Sequence, residues 1–406
     1  MTAYLVLLSD RRFLAFWGGF TISATGDTMT RVALVWYVLD KTGSSEALGL
    51  LAFCSTAPVI VGGLVAGWAL DRFDRRTLLI VDSVFRGLVV ASVPLAETLG
   101  QLTMPHIYAV ALVHGFLMMI PLAGVPSILP SIVPAERLGT ANALEILSYT
   151  MSGIIGAPLA GVLVAHIGAP GVLWADAGSY LAFAFLLTAV RLGPRVAPTP
   201  GPVTPIGGYG ATLKLVLAQP ILLVTTLMYM VFNLGGGALL VWLPLWAASM
   251  PEGGAELYGR LLGIMALGQL MSAIAAGFLP AMAPQGRLIC LALVAAGIAE
   301  VPFAMSASLA LLFACMALYG AAYAPLTILA QTLRMRLIPP ELRGRCFALL
   351  RMLMQSGNPL GGLVAGVLVP LAGLPATILA TAFLAIGPAV AGALVAPLWR
   401  ARASAL

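Results

Sequence analysis

Twelve apolar runs, each long enough to cross a bilayer, constrain this chain more than any other feature. A spanning helix needs about 20 predominantly apolar residues. Such runs fall at roughly 13–38, 46–70, 77–97, 105–132, 141–165 and 169–190, and again at 217–248, 261–280, 288–305, 309–333, 346–371 and 374–398. Of the 406 residues 61% are hydrophobic and only 9% charged, whereas a soluble domain carries roughly a quarter charged residues. A water-exposed fold would lack polar surface, so the class is all-α integral membrane. Many of the 44 Gly and 28 Pro lie inside apolar runs, as from Pro58 to Gly67, where neighbouring helices satisfy freed backbone groups. The first run follows Asp10-Arg11-Arg12 and contains Asp27 and Arg31, so it reads as a retained helix rather than a cleaved leader.

Charge predicts a direction. With twelve spans both termini share one side, and the loops and termini of that side hold 16 of the 21 Lys and Arg. The opposite loops hold only Lys41 and Arg260, while Arg31, Arg86 and Arg351 fall within spans. The positive-inside rule then places both termini and the central linker on the cytoplasmic side, with the chain multi-pass in the membrane. The net charge of +6 is a topology signal, and no soluble basic face exists to bind nucleic acid.

The segment Arg191–Lys214 carries five Pro and five Gly and reads as a mobile cytoplasmic linker between an N-terminal bundle (1–190) and a C-terminal one (215–406). The halves echo each other. Val133-Pro-Ala-Glu-Arg-Leu-Gly-Thr-Ala-Asn-Ala-Leu after the fourth span resembles Pro339-Pro-Glu-Leu-Arg-Gly-Arg-Cys-Phe-Ala-Leu after the tenth. Gly156-Ala-Pro-Leu-Ala-Gly in the fifth span matches Gly357-Asn-Pro-Leu-Gly-Gly in the eleventh. Repeats offset by about 200 residues mark a class of secondary transporter with its substrate site between the halves.

The loop Gly67-Trp-Ala-Leu-Asp71-Arg72-Phe-Asp74-Arg75-Arg76 resembles the G-x-x-x-D-R-x-G-R-R motif of the major facilitator superfamily, with Asp74 in place of the second glycine. The resemblance implies the major facilitator fold, two pseudo-symmetric six-helix halves, and a conformational latch at this loop. In that reading Gly67 permits close helix approach, Asp71 meets a helix N-terminus or a cation, and Arg72, Arg75 and Arg76 hold the cytoplasmic face. The second half keeps Gly277, Gly286 and Arg287 but no acid. Gly153-Ile-Ile-Gly156-Ala-Pro158-Leu-Ala-Gly161 resembles the fifth-helix motif of the superfamily's antiporters, and is equally read as glycine-mediated packing. Gly26-Asp27-Thr28-Met-Thr30-Arg31 with the following loop, Ala175-Asp176-Ala-Gly-Ser179-Tyr180, and Pro-x-Glu…Arg345 are similar to the branch of macrolide-efflux and enterobactin-exporter-like drug:proton antiporters.

An acid inside a span is expensive and usually functional. Asp27 lies about 14 residues into the first span, roughly 20 Å deep, and Arg31 is one turn further along on the same face. The resemblance implies that Asp27 faces the central cavity. There it exchanges a proton or binds a cationic group; a static Asp27–Arg31 pair is the alternative. Asp82 and Arg86, four apart, read as an internal ion pair. The superfamily's third, sixth, ninth and twelfth helices are peripheral, which demotes Asp176 and Glu300. Glu145 and Arg351 read as inner-gate or snorkelling charges. His114 is either a proton relay or simply hydrogen-bonded. A drug cavity needs adaptable apolar and aromatic walls with few polar anchors. Met118, Met119, Tyr229, Met230, Phe232, Asn233, Trp242, Gln269, Tyr319, Tyr323 and Gln355 are candidates.

Four scattered Cys read as buried hydrophobes, and they form no metal-spaced cluster with His106, His114 or His166. No GxxxxGK[ST] occurs and no catalytic constellation stands out, so neither an ATPase, an enzyme, a cofactor nor a metal is expected. The expected function is proton-antiport export of a small, moderately apolar molecule by a monomer, with protons and membrane lipids as its other partners. A dedicated siderophore or antibiotic exporter and a lysophospholipid flippase are alternatives on the same fold. A membrane receptor or membrane enzyme would need an appended domain or clustered catalytic groups, which the chain does not show.

Overall fold

The structure is a computed structural model describing residues 2–189, 209–278, 283–305, 308–339 and 342–401. Ten helical stretches are long and apolar enough to span a membrane, and one of them, Ala135–Ala189, is double length. It divides at Gly168, whose φ of 73° is open to glycine and strained for other residues. Arg11–Thr42, a 32-residue helix with polar residues along it, completes twelve. The spanning helices are α1 (Arg11–Thr42), α2 (Ser45–Arg72), α3 (Arg75–Thr98), α4 (Met104–Ile132), α5 (138–167), α6 (169–189), α7 (Pro220–Ser249), α8 (Ala255–Gly277), α9 (Gln285–Ala304), α10 (Leu309–Leu337), α11 (Arg343–Gln355 continuing as Gly357–Ala372) and α12 (Leu374–Leu394). The predicted spans match these within a few residues. Two short helices, Thr2–Leu8 and Tyr209–Ala218, precede α1 and α7. The second begins inside the segment read as a linker; residues 191–208 of that segment lie outside the described residues.

Local chemistry sets the ends and breaks. Asp10 caps α1, its carboxylate accepting from the Arg12 and Phe13 amides at 2.8 and 3.4 Å. The threonines that make α1 polar spend their hydroxyls on its own turns: Thr21 on the Trp17 carbonyl, Thr25 on Thr21 and Thr28 on Ala24. Thr21 also meets Ser148 Oγ of α5 at 2.7 Å. The repeat seen in sequence recurs as matching irregularities. α5 carries a π-helical turn at Ser152–Gly156 just before Pro158, and α11 breaks at Ser356 just before Pro359.

Two compact units are present. The first comprises Met1–Gly43, Cys54–Thr199 and Ala247–Gly263; the second comprises Ser44–Phe53, Pro200–Trp246 and Ile264–Leu406. The first unit's core gathers Phe13, Phe16 and Phe20 of α1 with Val125 and Ile128 of α4 and Phe183 of α6. Its 247–263 piece packs on α5 through small residues. A Cβ on Gly161 would lie 2.4 Å from the Ala255 carbonyl, one on Gly259 2.4 Å from the Ala157 carbonyl, and one on Gly263 2.4 Å from Pro158. In the second unit, Ser45 donates to the Gly366 carbonyl at 2.8 Å, and a Cβ on Gly49 would lie 2.7 Å from the Gly362 carbonyl. These are the small-residue contacts by which helices associate in lipid.

A matched pair of substitutions measures that packing. Gly161→Ala should destabilise by roughly 1–3 kcal/mol and lower the thermal midpoint in detergent, because backbone must move. Gly67→Ala, where an added Cβ meets nothing within 4 Å, should leave the midpoint level or higher. Equal midpoints for the two variants would show that the α5 contact is loose.

Candidate functional site

The first unit buries one polar constellation, built from four helices. α1 contributes Asp27 and Thr30, α3 Asp82 and Arg86, α4 His114, and α6 Asp176, Ser179 and Tyr180. Arg86 Nη2 lies 2.5 Å from Asp27 Oδ1, a direct ion pair. His114 Nε2 sits 3.1 Å from the same oxygen and 3.0 Å from the Tyr180 hydroxyl. That hydroxyl itself donates to Asp27 Oδ1. The Arg86 guanidinium covers the Tyr180 ring at 4.6 Å and reaches Asp82 Oδ2 at 3.9 Å. Beside this cluster Asp176 accepts from Thr30 at 2.5 Å and from Ser179 at 2.9 Å. Gly26 makes the arrangement possible, since a Cβ there would fall 1.9 Å from Asp176 Oδ1.

Burial grades the members. Arg86 is 2% exposed and Asp176 fully enclosed, whereas the Asp27 side chain keeps 16% exposure and Ser179 is half-buried. Asp82 Oδ1 and Arg86 Nε have no hydrogen-bond partner, so the cluster retains unused capacity to bind a proton or to rearrange. Three carboxylates face one guanidinium and one imidazole. Ligand atoms of Asp27, His114 and Asp176 all lie within 4.8 Å of one another, a spacing a metal ion accepts. Arg86, paired with Asp27 Oδ1, places a fixed positive charge beside that group.

The structure redraws the pairing expected for α1. Arg31 is exposed and donates to Thr28 Oγ1 at 2.9 Å, and among the described residues no ion pair joins it to Asp27. Packing, not the one-turn spacing, decided the partner. Asp176, expected to be peripheral, stands beside Asp27; Tyr180, noted only for its resemblance, bonds to it. Glu300 is buried in α9 with Thr381 of α12 as its donor.

In this structure Asp74, Arg75 and Arg76 of the loop motif are spent on helix ends. Asp74 caps α3, accepting from the Thr77 amide and hydroxyl at 2.9 Å each. Arg75 donates to the Ser127 carbonyl at 2.7 Å, and Arg76 to the Leu187 and Thr188 carbonyls, closing the end of α6. Arg72 lies over Trp68 at 5.8 Å. Asp71 is exposed, with no ion pair among the described residues, and Gly67 touches no neighbouring helix, so close approach does not explain that glycine here. In α5, a Cβ on Gly156 would press on Thr25 and Thr28 of α1 at 3.1–3.3 Å; Gly153 lies in the π-helical turn.

The cavity candidates separate. In the second unit Tyr229 meets the Tyr323 and Thr327 hydroxyls at 2.9 and 3.1 Å, and Phe232 stacks near Tyr319 and Tyr323 at 5.9 and 6.0 Å. Asn233 donates to the Met354 carbonyl and to Gln355 at 2.9 and 3.2 Å. Trp242 does not belong with them: it is fully buried against Phe303 at 5.5 Å, and is a core residue. Met118 stands at the break in α4, and Gln269 is half-buried in α8.

Twelve membrane-spanning helices with paired irregularities at the repeat positions define a transporter of the major facilitator superfamily. The chain belongs to its family of transmembrane secretion effectors, whose model matches residues 2–405. It is 25% identical over 372 residues to the multidrug efflux pump Tap of Mycolicibacterium fortuitum, covering 88% of this chain and 89% of that one. It is 25% identical over 344 residues to the enterobactin exporter EntS of Salmonella choleraesuis, covering 82% and 80%. Among solved structures, the nucleoside transporter NupG superposes with a TM-score of 0.76 at 15% identity, covering 94% of this chain and 98% of that one. A bacterial homologue of the iron transporter ferroportin gives 0.71 at 17% identity, covering 97% and 99%. At such identities these two show the fold alone.

Proposed function

We propose that this protein exports a small, moderately apolar molecule in exchange for protons. In this reading it acts as a monomer in the bacterial cytoplasmic membrane with both termini inside. The observation that carries the reading is the buried contact of Asp27 with Arg86, His114 and Tyr180, in which the Asp27 side chain keeps 16% exposure. Carboxylates outnumber the fixed cation three to one, a charge pattern suited to taking up and releasing protons. A proton arriving at Asp27 would neutralise the partner of Arg86, which then turns to Asp82, 3.9 Å away and half unsatisfied. His114 and Tyr180 hydrogen-bond the same Asp27 oxygen and hold it in place. The movement shifts α1 against α3 and α6, a bistable element of the kind alternating access requires between the halves 1–190 and 215–406. Similarity to an efflux pump and an exporter supports the outward direction.

The test is accumulation of chemically diverse fluorescent drugs in bacteria with and without the protein. Expressing cells should retain less of at least one compound, and a protonophore should erase the difference. Equal accumulation of every compound, or efflux indifferent to the protonophore, contradicts the reading.

A further inference from the structure

Among the described residues of the second unit, no carboxylate forms an ion pair with the buried cation Arg334. Arg334, in the last turn of α10, is 2% exposed, and its Nε and Nη2 have no hydrogen-bond partner. These two nitrogens face one edge of the guanidinium, the edge that grips a planar oxyanion side-on. Helices α7, α10 and α11 contain no Asp or Glu, although they carry Arg334, Arg336, Arg343, Arg345 and Arg351. Glu341, in the turn between α10 and α11, lies outside the described residues. The C-terminal dipole of α10 accounts for a cation being tolerated here, but not for its empty donors. The carbonyls of that turn are in any case served by another residue: Arg343 donates to Ile338 and Met335 at 3.2 and 3.1 Å.

Hydroxyls converge on the same region. Thr327 and Tyr323 lie two and three turns before Arg334, and Tyr229, which bonds to both, is within electrostatic range of Arg334. Arg351 of α11 is within electrostatic reach of Tyr323. Thr327 and Arg351 are exposed, so the group has an open edge and a buried cationic end. Rings of Phe232, Tyr319 and Tyr323 pack beside these hydroxyls, with Tyr323 6.1 Å from the Tyr229 ring and Phe232 6.0 Å from Tyr323.

We propose that Arg334, with the hydroxyls of Tyr229, Tyr323 and Thr327 and the charge of Arg351, binds an oxyanion carried on an apolar molecule: a carboxylate, sulfonate or phosphate. A buried guanidinium without a counter-ion is costly, and an anion with an apolar body supplies both the missing charge and a partner for the aromatic wall. Two sources share this chemistry, an amphiphilic cargo and an anionic lipid headgroup. Assigning the occupant as cargo rests on the exporter reading above; the oxyanion site itself does not.

Full-length protein in phosphatidylcholine nanodiscs is titrated calorimetrically with anilinonaphthalene sulfonate and with its uncharged analogue N-phenylnaphthylamine, against empty discs. Wild type should bind the sulfonate, and Arg334→Gln should weaken it roughly tenfold or more while leaving the uncharged probe unchanged. Arg334→Lys keeps the charge but not the side-on fork, and should fall between. It decides the question if the Gln variant does not fold. Adding phosphatidylglycerol to the discs separates the sources: a headgroup occupant competes with the sulfonate in wild type, and a cargo site is indifferent to the lipid. Unchanged sulfonate binding in both variants, or equal loss of both probes, overturns the proposal. Binding is read without a proton gradient, so this result and the export result fail independently.

Discussion

Arg86→Met should destabilise the protein by about 3–5 kcal/mol, the cost of leaving a buried ion without its partner. Arg86 is 2% exposed, pairs with Asp27 at 2.5 Å and reaches Asp82 at 3.9 Å, so its removal strands two carboxylates in a site with no other fixed cation. The double variant Asp27→Asn with Arg86→Met removes both charges of the main pair. It should be more stable than Arg86→Met alone and lose less than the sum of the single losses, with a coupling of about 0.5–3 kcal/mol. Chemical unfolding of the purified chain in detergent measures all four corners of the cycle. Additive losses would mean that Asp27 and Arg86 do not act as a pair.

The second large effect concerns transport. Asn is close to Asp in size and keeps an oxygen able to accept from Arg86 and Tyr180, so Asp27→Asn changes charge more than shape. One proton falling through one pH unit supplies about 1.4 kcal/mol, enough for a roughly tenfold concentration ratio at one-for-one exchange. Asp27→Asn should lose that ratio, so that vesicles carrying it equilibrate the exported drug without concentrating it. Exchange of labelled for unlabelled drug should persist, since it needs no net proton movement. A variant that still concentrates drug as wild type does would remove Asp27 from the coupling.

Legibility in the sequence followed the range of the forces involved. The spans could be read because the bilayer imposes a length and an apolarity on each helix separately. α1 was readable despite its polar residues because Asp10-Arg11-Arg12 marked where it starts, and Asp10 is its cap. The irregularities at Pro158 and Pro359 were legible as paired motifs. Partners across helices were not. Asp27 and Arg86 are 59 residues apart and meet only through the packing of α1 on α3 and α6. Spacing within one helix pointed instead to Arg31, which faces outward and spends itself on Thr28. The same spacing found Asp82 for Arg86, a contact that exists at 3.9 Å but is the weaker of the two. Arg75 and Arg76 were recognisable as a motif, yet their acceptors are backbone carbonyls, which carry no residue identity to read. Trp242 looked like a cavity wall because apolar walls and apolar cores use the same residues.

Purified protein in liposomes loaded with a pH-sensitive dye tests the central claim most directly. Adding an exported drug on one side, with no imposed gradient and the membrane potential clamped, should move protons in the opposite direction to the drug in wild type. Asp27→Asn should move none. Drug flux through wild-type protein with no accompanying pH change would contradict proton exchange at this site.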